Sequence, residues 1–155
     1  LMGPNFEPIV GAEGWQLSNP PIFQLAALRA SLEIFDRATM AALRARSVEL
    51  TGTLDRLLRQ IKSDRIELIT PEDPDQRGCQ LSIRVRRPDS AAEPSSSAET
   101  NGRVSNLFQA LTERGVVADW REPDVIRVAP VPLYNTFADV YRFAEILKDL
   151  VENDR

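Results

Sequence analysis

Histidine is absent from this sequence of 155 residues, and cysteine occurs once, at Cys79. Without an imidazole there can be no Ser-His-Asp or Cys-His catalytic arrangement and no His-containing zinc site. A single thiol excludes a disulfide within the chain and any thiolate cluster. That thiol, with no targeting segment beside it, points to a reducing cytoplasm. No run of about 18 apolar residues occurs, so no segment reads as a membrane-spanning helix. The opening stretch Leu1–Pro8 lacks the basic start and apolar core of a signal peptide, and a start at Leu1 suggests a cut or engineered end. Lysine is nearly missing: of 19 basic residues, only Lys62 and Lys148 are lysines and the other 17 are arginines. Against 23 acidic residues the net charge is -4, which leaves no general basic field for nucleic acid or an anionic membrane. Glycine-rich phosphate loops of the GxGxxG or GxxxxGK type are also missing. No metal site is expected.

What remains has an ordinary globular composition, with 43% hydrophobic and 27% charged residues. A chain of this length holds one domain and can bury roughly 70% of its unfolded surface. Residues 1–21 read as irregular, broken by Pro4, Pro8, Gly11, Gly14, Pro20 and Pro21. Residues 22–62 read as a helical connection. Apolar residues recur there at Leu25, Leu28, Leu32 and Phe35, then at Met40, Leu43, Leu50, Leu54, Leu57 and Ile61, the spacing of one buried helical face. Forty unbroken residues exceed the usual globular helix, so a break is expected near Asp36. Asn19 and Pro20 suit the N-cap and first position of this helix.

Residues 63–155 read as a small α+β domain. Strands are expected at Ile66–Thr70, at Cys79–Val85 with Cys79, Leu81, Ile83 and Val85 on one face, and at Val116–Trp120 and Val125–Val128. Residues 88–102 (PDSAAEPSSSAETNG) contain no large apolar side chain and read as a mobile insert. Helices are expected at Arg103–Arg114, ended by Gly115, and at Thr136–Glu152, with Thr136 and Asp139 as a capping box. The apolar face of the last helix is Phe137, Val140, Tyr141, Ala144, Leu147 and Val151. The fold class is α+β: a long helix leading into a small, mainly antiparallel sheet packed by helices.

Acidic side chains are scattered, and Glu33, Glu49 and Asp55 read as solvated helix faces. Two places suggest more. Residues 14–21 (GWQLSNPP) put hydroxyl and amide groups before a helix, which suits either capping or a polar or anionic ligand. Residues 126–135 (IRVAPVPLYN) place Arg127 between apolar neighbours at the end of a strand that runs into a stiff proline loop. Arg127 is either an ordinary exposed strand residue or a fixed guanidinium presented to a ligand.

The runs SNPPI (18–22), LRASLEIF (28–35), RGCQLSI (77–83), RGVVADWREPDVIRVAPVPLYNTF (114–137) and DVYRF (139–143) resemble, in that order, the carboxyl-terminal portion of the kynureninase family. The resemblance spans nearly the whole chain apart from the extreme N-terminus and the Ser-rich insert. It implies the small C-terminal domain of a fold-type I pyridoxal-phosphate enzyme, homodimeric when complete, which hydrolyses L-kynurenine or 3-hydroxykynurenine to the anthranilate and L-alanine. By resemblance, Asn19 binds cofactor and substrate, Ser18 is its neighbour in the substrate pocket, and Arg127 of the R-V-A-P run holds the substrate α-carboxylate. The family's Schiff-base lysine lies upstream of the matched region, and neither Lys62 nor Lys148 has a matching context. The chain by itself is therefore expected to carry no catalytic residue and no activity. The competing expectations are a non-catalytic amino-acid-binding or dimerisation module and another pyridoxal-phosphate enzyme of the same fold.

Overall fold

The computed structural model of the chain describes residues 7–86 and 106–153. The expected insert 88–102 lies outside the described residues. Two compact units divide the chain, Leu1–Met40 and Ala41–Arg155. The division falls inside the 22–62 helical segment, at the break between α1 (Ile22–Ala38) and α2 (Met40–Gln60). The break is at Thr39, three residues beyond the expected Asp36. There φ reaches +64°, a conformation that no helix continues through.

In the first unit, a short 3₁₀ turn at Ala12–Trp15 precedes α1. Asn19 does not cap α1. Pro21 holds the N-cap position with non-helical backbone (φ -74°, ψ 82°), and no side chain caps the helix. The reason is local: Pro21 disfavours helical geometry at Pro20, so the helix starts only at Ile22. The apolar stripe of α1 also departs from expectation, since none of the helix's residues is buried.

The second unit follows the expected order. β1 (Ile66–Leu68) and β2 (Leu81–Val85) lead to a helix α3 over residues 106–113, then β3 (Asp119–Arg121), β4 (Val125–Val128) and α4 (Phe137–Asn153). The four strands form one antiparallel sheet in the order β1-β2-β4-β3. Alternation decides its faces: Leu81, Ile83 and Val85 of β2 and Ile126 and Val128 of β4 are buried. They join Leu50, Leu54 and Leu58 of α2, Leu107 and Leu111 of α3, and Val140, Leu147 and Val151 of α4 in one core. Phe108 and Trp120 pack at its edge with ring centroids 5.9 Å apart.

Local signals account for the helix ends. Gly115 has φ +80°, its N–H donates to Thr112 O (2.9 Å), and the Val116 N–H donates to Leu111 O (3.0 Å). This left-handed cap is one that glycine enters without a Cβ penalty. At α4 the Thr136 N–H and hydroxyl both donate to Asp139 Oδ2 (2.7 and 3.0 Å), and the Asp139 N–H returns to Thr136 Oγ1 (3.2 Å). Two of the expected face residues of α4, Phe137 and Tyr141, are exposed instead. Cys79 lies in a bend before β2, half-buried, where a strand position was expected.

Candidate functional site

Arg127 occupies the third position of β4, between the buried Ile126 and Val128. Period-2 alternation therefore turns its side chain to the sheet face opposite the core, where it is 31% exposed. That face is polar across the sheet. Glu67 of β1 accepts from Arg84 (3.2 Å) and Arg86 (2.8 Å), and Arg84 also lies 3.6 Å from Asp124. The bond from Arg86, with that from Arg84 behind it, holds the Glu67 carboxyl below the usual carboxylate range.

Directly across the β3–β4 ladder from Arg127 stands Asp119. Its Oδ2 accepts from Arg127 Nε (2.6 Å) and from the adjoining terminal nitrogen of the same guanidinium, and also from Arg121 Nε (3.0 Å). These donors, Arg127 foremost, keep the Asp119 carboxyl below its ordinary pKa. Both bonds from Arg127 use one edge of the guanidinium. Its other terminal nitrogen has no partner among the described residues. An arginine held at one edge and open at its end can take a carboxylate in a charge-assisted, two-bond geometry.

Beyond β4, the chain passes through Pro130 and Pro132, which fix their own φ angles. Asn135 closes this loop: its Oδ1 accepts from the Val131 N–H (2.8 Å), and its own N–H donates to Val131 O (2.9 Å). A cleft of about 380 Å³ lies between this loop and the helices, lined by Val116, Ala129, Pro130, Tyr134, Arg142 and Phe143 among others. Arg127 is not part of its wall.

Ser18 and Asn19 adjoin in a bend ahead of α1, both exposed, and Gln16 Nε2 donates to Ser18 O (2.8 Å). They belong to the first compact unit and Arg127 to the second. Lys62, past the end of α2, and Lys148, on α4, are both exposed, and neither lines the cleft. The described residues thus supply no recessed amine to which pyridoxal phosphate could be bound covalently, and they do not fit that cofactor by themselves. Among the described residues, no group of His, Cys, Asp and Glu side chains is placed to hold a metal ion. No described helix is long and apolar enough to cross a membrane.

Sequence reasoning missed Asp119. The signal was available in the hairpin: with Glu122–Asp124 as the turn, Arg121 faces Val125, Trp120 faces Ile126, and Asp119 must face Arg127. It also misjudged Asp55, which is buried. Arg77 folds in from the loop before β2 and meets it at 3.5 Å, so no solvated face remains there.

The fold is shared with part of a larger solved structure. A solved structure from work on the directed evolution of transaminases by ancestral reconstruction matches 93% of this chain and 30% of its own, with a TM-score of 0.58 at 24% identity. At that identity the likeness concerns the fold alone. The family is narrower: the kynureninase C-terminal domain profile matches residues 43–147, and the chain belongs to that family. It is 52% identical to a kynureninase of Myxococcus xanthus over 95% of its length, and 54% identical to those of Xanthomonas campestris pv. campestris and Koribacter versatilis over 93%. The chain spans 30–31% of the length of these relatives.

Proposed function

We propose that this chain works as the C-terminal part of a kynureninase, hydrolysing L-kynurenine or 3-hydroxykynurenine to the anthranilate and L-alanine, and that Arg127 binds the substrate α-carboxylate. Family membership supports the reaction class. The observation that carries the role of Arg127 is the open end of a guanidinium whose opposite edge is already held. Arginine suits this task because its planar fork matches the two oxygens of a carboxylate, whereas lysine offers only a point charge. The closed proline loop after β4 limits the freedom lost when substrate docks.

Pyridoxal phosphate, in the complete enzyme, supplies the electron-withdrawing chemistry at the substrate's amino-bearing carbon. The amine and phosphate site for it are assigned to the upstream part of that enzyme. The contribution of this chain is positioning, which lowers the barrier by fixing the substrate before any bond changes. Ser18 and Asn19 are assigned as polar contacts to substrate, and Asn19 also to cofactor, on the strength of the S-N-P-P resemblance. The complete enzyme is read as a cytoplasmic homodimer.

The test is an assay of kynurenine hydrolysis by the complete enzyme and by this chain alone. The complete enzyme should release alanine and anthranilate from L-kynurenine, and the chain with added pyridoxal phosphate should release neither. Turnover by the isolated chain, or none by the complete enzyme on either substrate, would refute the reading.

A further inference from the structure

We propose that Asp119 is a positioning residue for Arg127: it fixes one edge of the guanidinium so that the opposite end is presented to the substrate carboxylate. The inference rests on the carboxylate-binding role of Arg127 proposed above and adds to it the residue that aims the clamp.

Three observations support it. First, the backbone places the pair. Asp119 and Arg127 are direct partners in the antiparallel ladder, so the strands hold the two Cα atoms opposite each other before any side-chain contact forms. The short Asp side chain has little rotamer freedom to lose there. Second, the bonds are one-sided. Nε and one terminal nitrogen of Arg127 converge on the single oxygen Oδ2, which sets the rotation of the guanidinium plane and leaves the other terminal nitrogen without a partner among the described residues. A carboxylate that competed with substrate for the end of the fork would leave the Nε edge open. The reverse is seen. Third, the charges leave room for one anion. Asp119 is shared with Arg121, whose Nε lies 3.0 Å from the same Oδ2, so two arginines and one carboxylate sum to a single positive charge. A substrate α-carboxylate carries the matching single negative charge. Arg121 also donates to Asp119 Oδ2, so the carboxylate that aims Arg127 is itself held by a second bond.

The experiment uses the complete enzyme with Asp119→Ala, Asp119→Asn, Asp119→Glu, Arg127→Ala and the Asp119→Ala/Arg127→Ala double variant. The readouts are KM and kcat for L-kynurenine, the same for an analogue lacking the α-carboxylate, and the calorimetric dissociation constant of a non-reacting kynurenine analogue that keeps it. Asp119→Ala is expected to raise KM for kynurenine about tenfold with kcat changed less than about twofold, the pattern of lost binding. The dissociation constant should weaken in parallel. Asp119→Asn, which keeps shape and one acceptor but no charge, should fall between Asp119→Ala and wild type, and Asp119→Glu should restore part of the loss. The analogue without a carboxylate should not respond to any of them. Adding Asp119→Ala to Arg127→Ala should cause no further loss, because the two residues act as one unit. A lowered KM in Asp119→Ala would identify Asp119 as a competitor and overturn the proposal. So would an unchanged KM, or an equal loss with both substrates, as long as Arg127→Ala still weakens kynurenine selectively. If Arg127→Ala itself leaves kynurenine unaffected, the carboxylate role of Arg127 fails, and the role of Asp119 falls with it.

Discussion

Asp55 of α2 and Arg77 of the loop before β2 form an ion pair at 3.5 Å with both side chains almost wholly buried, 7% and 6% exposed. Arg59, one helical turn on, bonds the same carboxylate at 3.2 Å, and Arg77 also donates to Pro71 O at 3.2 Å. Arg44 donates to the carbonyls of Arg77 and Pro74. This network pins the polar 70–78 connection to α2 and so sets where β2, the central partner of β4, begins.

Removing one member of that pair leaves the other charged and buried. Asp55→Ala is expected to destabilise the domain by about 3–5 kcal/mol. Replacing both residues with apolar ones of similar volume, Asp55→Leu with Arg77→Met, should destabilise it much less. Urea denaturation distinguishes the two. Equal losses for the single and double variants would show that the pair does not act as a unit.

The capping box of α4 gives a pH dependence with a definite sign. Hydrogen bonds from the Thr136 backbone N–H, then from its hydroxyl, hold the Asp139 carboxyl below the ordinary carboxylate range. A carboxyl lowered on folding stabilises the native state above its unfolded pKa, near 3.9, and that stabilisation is lost as pH falls through the native value. Asp139→Asn should therefore melt below wild type at pH 7, with the gap closing as the pH falls below the ordinary carboxylate range. A gap of the same size at both ends would mean that charge plays no part in the cap.

Gly115 ends α3 at φ +80°, and a Cβ built there meets no atom within 4 Å. Any loss on substitution is thus conformational and not steric. Gly115→Ala is expected to lower stability by about 1–2 kcal/mol. A neutral result in thermal melts would show that the turn relaxes to negative φ.

Much of the second unit was legible because its signals are local or periodic. The Thr136–Asp139 box, the Gly115 cap and the alternation that buries Ile126 and Val128 around Arg127 are each written within a few residues. The failures have two sources, a local rule passed over and partners distant in sequence. Tandem prolines moved the start of α1 past Asn19. The apolar stripe Leu25, Leu28, Leu32 and Phe35 has helical spacing, but spacing does not supply a partner, and it stays exposed. Asp55 looked like a surface acid because its partner Arg77 is 22 residues away in the sequence, on another element. The Asp119–Arg127 pair needs only the hairpin register, so it too could have been read from the sequence alone.

The central claim is that Arg127 of the complete enzyme holds the substrate α-carboxylate, and it is tested most directly by comparing two substrates in one variant. Arg127→Ala should lower kcat/KM for L-kynurenine by about 30-fold to several thousandfold, the effect of about 2–5 kcal/mol expected when one partner of a charge pair is removed. Arg127→Lys should recover only part of it, and pyridoxal phosphate should remain bound in both. With an analogue lacking the α-carboxylate, the wild type and Arg127→Ala should have nearly equal kcat/KM. Equal processing of kynurenine by wild type and Arg127→Ala would contradict the account and return Arg127 to the ordinary polar face of the sheet.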